Sequence, residues 1–465
     1  MARVAAFLLA SLALSASDVT MQFQLTEVTR EIDLTGRYAK VLSTLTLRNI
    51  GTAEASKFYF ALPANKYEAL AHFRAHLEEE SVNLFDYEEA TELSTKKLRM
   101  LKVKMMRGVK PGEEVTVVVH EALAQQLEPY PAQIGIFDQQ YLRFKDDIYM
   151  LSPYTIDNLL TKIFFPSSEI ESYTMPSDSS YDLKGKVLTY GPYQNISPFS
   201  SLPMEVHFEH SAPLPYFTKV ERRIEVSHWG NVAIDEFYSL VNDGAVLKGE
   251  FDRLDYNNRY RASAMNALER LEAVLPRSAW GLYYRDEIGN VSTSAARREA
   301  NNVNLEVQPR FPLLGGWKSN WNIGYNVPIR QLVKTNGHQY VLNTTFGFPF
   351  KDIIAEELEV KIILPEGATD LEWRLPFPID SSNTDLWFSY LDTTGRPTII
   401  LKKKNAVDFH RKPFLVLYKF DSYHMMREPL MLTGYVAAVL LVLVFYFRMD
   451  MHFASARKGT KTKSE

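Results

Sequence analysis

The sequence predicts a mainly β protein: two tandem antiparallel β-sandwich-like domains on the lumenal side of a membrane, followed by one transmembrane helix. Three observations carry that reading. Apolar and polar residues alternate with period two through most of the chain, Leu430–Phe447 holds no charged residue, and the roughly 410 residues between the chain's two apolar ends contain no cysteine.

The alternating segments come first. Met204, Val206 and Phe208 alternate with Glu205, His207 and Glu209, and Leu358, Val360, Ile362 and Leu364 with Glu359, Lys361 and Ile363. Val115, Val117 and Val119 follow the turn Lys110–Glu113, and Leu45 and Leu47 sit among Thr44, Thr46 and Arg48. Strands of this kind bury one face, which suits sheets packed face to face. Leu268, Leu271 and Leu275 before Pro276 predict one lumenal helix over Met265–Val274. HSAPLPYF at 210–217 places a boundary near residue 215, giving domains at 18–215 and 216–428. FYFALPANKYEAL (58–70) and VKIILPEGATDL (360–371) look alike, each an apolar strand turning at Leu-Pro, and support two similar domains.

The ends set the compartment. Residues 1–17 read as a signal peptide: Arg3, an apolar run too short to span a bilayer, then small residues Ala13, Ser15, Ala16 and Ser17. The span is expected at 429–447, since at about 1.5 Å per residue Leu430–Phe447 covers roughly 27 Å. Arg448, Arg457, Lys458, Lys461 and Lys463 make 448–465 a basic cytosolic tail, so the chain is expected to be type I. Lys461 and Lys463 in KTKSE resemble the dilysine signal that retrieves such proteins to the endoplasmic reticulum.

Composition narrows function. With 46% hydrophobic and 23% charged residues the chain is globular, and a net charge of -4 gives no electrostatic case for nucleic acid. No cysteine means no thiol catalysis and no cysteine metal site, and each domain must rest on its apolar core. His72 and His76 in HFRAH have helical metal spacing, but in a strand their rings would stand about 13 Å apart. His207 and His210 fall on opposite faces of a strand, and all four histidines read as solvated. The carboxylate groups Asp146–Asp147, Asp286–Glu287 and Glu78–Glu80 read as solvated faces, because neighbours in a strand point apart while paired acid–base work needs facing carboxyls. Neither a catalytic residue nor a metal or cofactor is expected.

Asn195, Asn290 and Asn343 are Asn-X-Ser/Thr acceptors, Asn195 the weakest because Pro198 follows its Ser197. Gly289-Asn290 is turn chemistry, so YYRDEIGNVS (283–292) is expected to end in an exposed turn with a sugar acceptor. Tyr283, Tyr284, Arg285 and Trp317, with Trp280 and Trp321 nearby, are candidate interface residues. Burial in the core is the favoured reading for Trp317 and Trp321.

HWGN (228–231), YYRDEIGNVSTS (283–294), PRFPLLGGW (309–317), IGYN (323–326) and VKIILPEGA (360–368) together resemble the ribophorin I family; TLRNIG (46–51) and FALP (60–63) do so more loosely. The resemblance implies a non-catalytic subunit of the endoplasmic reticulum oligosaccharyltransferase, which moves a preassembled oligosaccharide from dolichol pyrophosphate to Asn of nascent proteins. It implies as partners the other subunits, including a multispanning catalytic one, together with nascent polypeptides, membrane lipid and the translocon. A type I cargo or quality-control receptor that binds clients on its own is the alternative.

Overall fold

The computed structural model of the chain describes residues 22–177, 180–258, 266–389 and 391–449. The signal peptide, Met265, Lys461 and Lys463 lie outside them. The described chain is built of strands, with one long helix at its C-terminal side. The expected strands form where the alternation places them: Leu45 and Leu47, Val117 and Val119, Met204, Val206 and Phe208, and Leu358, Val360 and Ile362 are all buried.

The first half is centred on an eight-stranded sheet. Its strands are β1 (Phe23–Asp33), β2 (Ala39–Asn49), β3 (Leu70–Leu77), β4 (Glu80–Leu84), β5 (Glu114–Leu123), β6 (Ile156–Phe164), β7 (Tyr181–Lys184) and β8 (Val187–Ile196). They lie in the order β7-β8-β6-β1-β2-β5-β3-β4. The second half has a seven-stranded sheet of β9 (Pro215–Ser227), β10 (Asn231–Asn242), β11 (Trp280–Asp286), β12 (Lys318–Pro328), β13 (Ile354–Ile363), β14 (Ser381–Trp387) and β15 (Arg396–Ala406), ordered β11-β12-β10-β9-β13-β15-β14.

Without the edge strand β4, the two orders are the same. β1 pairs antiparallel with β2 and parallel with β6; β9 pairs antiparallel with β10 and parallel with β13. The covering layers repeat as well. A three-stranded sheet, Ala55–Pro63, Leu98–Val109 and Asp86–Glu89, corresponds to Leu271–Pro276, Asn302–Val307 and Ala295–Arg298. A four-stranded sheet, Ile170–Tyr173, Pro203–Glu209, Tyr141–Asp147 and Leu127–Pro129, corresponds to Thr369–Arg374, Pro413–Lys419, Gln339–Thr345 and Val333–Asn336. Inner faces of the main sheet and of its covering strands fill one core from Phe23 to Leu214 and another from Phe217 to Phe420.

Three expectations change. Each main sheet carries one parallel pair, which alternation cannot reveal because both pairings have the same period. The expected helix before Pro276 is a strand: Leu271, Ala273 and Leu275 are buried in period two, and Leu271–Pro276 pairs with Asn302–Val307. Leucines spaced by three and four satisfy a helix as well as a strand, and partner strands settle the choice. The Leu-Pro pairing of segments is also shifted. FALP (60–63) ends the strand that corresponds to Leu271–Pro276, so its counterpart is AVLP (273–276); the counterpart of IILP (362–365) is IFFP (163–166), where the chain leaves β6.

The two halves touch. Tyr38, Ala71, Ala122, Ala124, Ile354 and Val407 form a small apolar cluster drawn from both. Buried Gln140 also joins the halves: it donates to the His210 carbonyl at 2.8 Å and accepts from the Ala245 amide at 2.8 Å and from Asn266 Nδ2 at 2.9 Å. At the other end of the chain, Arg427–Arg448 is a 22-residue helix that touches the second half only through its first turn and is exposed from Leu432 onward. It is long and apolar enough to cross a membrane.

Candidate interaction surface

The similar first strands of the halves, TEVTREI (26–32) and TKVERRI (218–224), show how each sandwich is closed. Both carry a bulge at the same place, between Leu25 and Glu27 and between Phe217 and Lys219. Thr26 and Thr218 hydroxyls each donate to a carbonyl of the next strand, Thr46 and Ser239. Arg30 and Arg222 point into the two cores. Arg30 pairs with buried Asp146 at 2.7 Å and donates to the Asp147 carbonyl at 2.7 Å, while Lys66 also contacts Asp146. Arg222 pairs with Glu236 at 2.8 Å and donates to the Thr345, Phe346 and Gly347 carbonyls. Each guanidinium therefore ties its main sheet to the end of the corresponding covering strand.

The carboxylate pairs are used the same way. Asp146 is buried in that ion pair, and its neighbour Asp147 accepts from Ser201. Asp286 takes two hydrogen bonds from Arg310, at 2.6 and 3.0 Å, and caps the Ile288 and Gly289 amides. The Arg310 bonds, with help from those amides, hold its carboxyl down at about 2. Glu287 turns away to Asn320.

The histidines are not all solvated, contrary to expectation. His76 and His210 are buried: His76 lies against His120, with Nε2 atoms 3.2 Å apart, and His210 Nε2 reaches the Gly36 carbonyl. Hydrogen bonds and ring packing offset their burial. HFRAH lies in β3, and its rings have separate neighbours: His72 stacks on Phe409 at 4.2 Å. Among the described residues, no group of three or more His, Cys, Asp or Glu side chains is placed to hold a metal ion.

YYRDEIGNVS is a strand end and a tight turn. Gly289 has φ +144, and Arg285 and Asn290 bridge across the turn, with Arg285 Nε donating to Asn290 Oδ1 at 2.9 Å. The exposed Asn290 is thus held by its oxygen. Tyr283 sits opposite Gly324 of IGYN, and Gly324 sits opposite Asp235 on β10. The Tyr283 ring crosses the glycine, where a Cβ would lie 2.3 Å from the ring, and its hydroxyl donates to Asp235 at 2.6 Å. Arg285 covers the ring at 4.7 Å. Asn231 of HWGN donates to Asn326 of IGYN at 2.6 Å, and Arg310 of PRFPLLGGW is the Asp286 partner. Segments nearly a hundred residues apart in the chain meet on one sheet.

Of the candidate interface residues, Arg285 is exposed, Tyr283 half-buried, and Trp280 on the same strand exposed. Trp317 is half-buried between Phe251 and Phe311. Tyr284 is corrected: it points inward, 7% exposed, edge-on to buried Trp321, because successive strand residues face opposite sides. Asn343 lies on the exposed face of its strand, and Asn195, also exposed, has φ +54. Trp229 was not singled out by the sequence beyond its place in HWGN, yet it is 63% exposed. An aromatic next to Gly230 in a hairpin turn was the available signal.

Motifs that join strands, and carboxylates bound in ion pairs, make this a β-sandwich scaffold carrying a membrane-type helix. The family profile described as Ribophorin I matches residues 23–447, and the chain belongs to the ribophorin I family. The Caenorhabditis elegans protein named dolichyl-diphosphooligosaccharide–protein glycosyltransferase subunit 1 is 37% identical over 430 residues, covering 92% of this chain and 72% of that one. Subunit 1B of Oryza sativa subsp. japonica is 37% identical over 431 residues, 91% and 90% of the two chains. Among solved structures, an M1 zinc metallopeptidase from Deinococcus radiodurans aligns over 44% of this chain and 42% of its own, at 12% identity and a TM-score of 0.25, too slight a likeness to say more about this chain.

Proposed function

We propose that the chain is a non-catalytic subunit of the endoplasmic reticulum oligosaccharyltransferase, supporting transfer of a preassembled oligosaccharide from dolichol pyrophosphate to Asn of nascent proteins. The observation that carries this reading is family membership along nearly the whole chain, with two relatives at 37% identity named as subunit 1 of that glycosyltransferase. The internal use of its carboxylates supports an accessory role: Asp146 and Glu236 are buried ion-pair partners, and Asp286 is bound by Arg310. Bond making then belongs to a different, multispanning subunit. In this reading residues 18–215 and 216–428 are two lumenal domains, the C-terminal helix is the anchor, and Asn290 and Asn343 carry glycans. Lys461 and Lys463 return the chain to the endoplasmic reticulum, and Tyr283, Arg285 and Trp317 contact neighbouring subunits, nascent chains or the translocon.

Native separation of a mild-detergent extract tests it. The tagged chain is expected in a large assembly of fixed stoichiometry with a multispanning protein, and to lose mass on endoglycosidase treatment. A chain that runs alone and binds clients in variable amounts is a receptor, and the subunit reading fails.

A further inference from the structure

The base of the C-terminal helix is fixed to one end of the second sandwich. Phe420 follows the strand Pro413–Lys419 and stacks on His228, in the β9–β10 turn, with ring centroids 4.4 Å apart. A short 3-10 helix, Ser422–Met426, then leads into Arg427–Arg448, and Asp421 before it pairs with His338 at 2.8 Å. In the first turn of the long helix, Glu428 pairs with Arg396 at 3.2 Å, and Arg427 donates to Thr394 at 3.3 Å. Arg396 in turn contacts Glu225, and it lies opposite Trp387 across the β14–β15 pair. The β9–β10 turn and the β14–β15 end therefore sit at the level where the helix leaves the domain.

That level is set by the membrane. Glu428 precedes Leu430, the first residue of the charge-free run, by two residues, about 3 Å of helix axis. The headgroup layer on each side of the hydrocarbon is roughly 5–7 Å thick. Adjacent strands stand about 4.8 Å apart, so the residues flanking Trp387 are within reach of that layer. The same end of the sandwich carries Trp229, Leu386, Phe388, Tyr423 and Met426, each more than half exposed. Apolar side chains gathered at one end of a soluble domain mark a contact surface, and Trp and Tyr favour the membrane–water boundary.

We propose that this end of the second sandwich seats on the membrane that its own helix enters, with Trp229, Leu386, Phe388, Tyr423 and Met426 immersed at the boundary between headgroups and acyl chains. The lipid is the occupant because the helix fixes these residues at bilayer depth. Seating at several points would hold the sandwich at a fixed tilt and height above the membrane, with the Tyr283–Arg285 face presented to neighbours. The proposal rests on the C-terminal helix spanning a membrane.

The chain has no cysteine, so single cysteines can be placed and labelled with an environment-sensitive fluorophore in the full-length protein in lipid nanodiscs. Trp229→Cys and Phe388→Cys report the proposed surface, Val439→Cys the middle of the helix, and Met106→Cys an exposed position in the first half. Labels at 229 and 388 are expected to shift to the blue and to lose roughly half their emission to lipids carrying a spin label near the headgroup, and less to lipids labelled near the chain terminus. The label at 439 should show the reverse preference, and the label at 106 should respond to neither. Labels at 229 and 388 that stay water-exposed while 439 is quenched would overturn the seating and leave the span intact. A blue shift without lipid quenching would overturn it in favour of a covering protein. Loss of quenching at 439 would remove the span and the seating together.

Discussion

At the scale of single residues, the most informative side chains are the buried ionic ones. Arg222 and Glu236 are both withdrawn from water, at 3% and 0% exposure, and Tyr238 also donates to Glu236 at 2.6 Å. Removing one partner leaves an uncompensated buried charge, so Glu236→Gln should cost about 3–5 kcal/mol in urea denaturation of the solubilised chain followed by tryptophan emission. Replacing both partners together with methionine should cost much less; equal losses would mean that the pair matters for shape and not charge. Glu121 behaves differently. Burial pushes its carboxyl up to about 7, with Arg30 and Lys66 pulling the other way and Asp146 adding to the rise. The folded protein then holds this proton more tightly than the unfolded chain does. The contribution is fully favourable below the ordinary value of 4.5 and is lost as pH rises toward 7. Glu121→Gln should therefore flatten stability between those values, and an unchanged pH profile of the melting midpoint would refute the assignment.

At the scale of elements, family motifs turn out to be junctions between strands. IGYN places a glycine where Tyr283 must cross β12 to reach Asp235, and the missing Cβ is what makes room. Gly324→Ala should push the ring off the sheet, break the bond to Asp235 and cost about 1–3 kcal/mol. Pairing it with Tyr283→Ala should recover part of the loss; strictly additive losses would show that ring and glycine are not coupled. Much of this level was legible. Alternation located the strands, and Gly289-Asn290 located the turn. What alternation could not supply was pairing direction or the identity of partners, so Met265–Val274 read as a helix and Tyr284 as surface. Both errors have one cause: a strand residue's face is decided by what lies above and below it, and those neighbours come from distant segments.

At the scale of the whole molecule, the second half repeats the main and covering sheets of the first apart from the edge strand Glu80–Leu84, down to the bulge, the threonine and the buried arginine of the opening strand. Faint internal likeness signalled two similar domains, but the wrong segments were matched, because Leu-Pro turns recur at several strand ends. The junction of the halves was silent in the sequence. Gln140 reads as an ordinary polar residue, yet its single side chain joins His210, Ala245 and Asn266 in a buried network. The same holds for the base of the C-terminal helix, where His228, Arg396 and the segment holding Phe420 and Glu428 come from three separate stretches.

By itself the sequence determined the β class, the membrane-type helix and the family, because these depend on local periodicity, on an uninterrupted apolar run and on contiguous motifs. Only the tertiary structure decided which strands pair, which charges are buried, where the histidines go and which aromatics remain outside. Those outcomes depend on contacts between residues far apart in the chain, and no local pattern encodes the partner across a sheet.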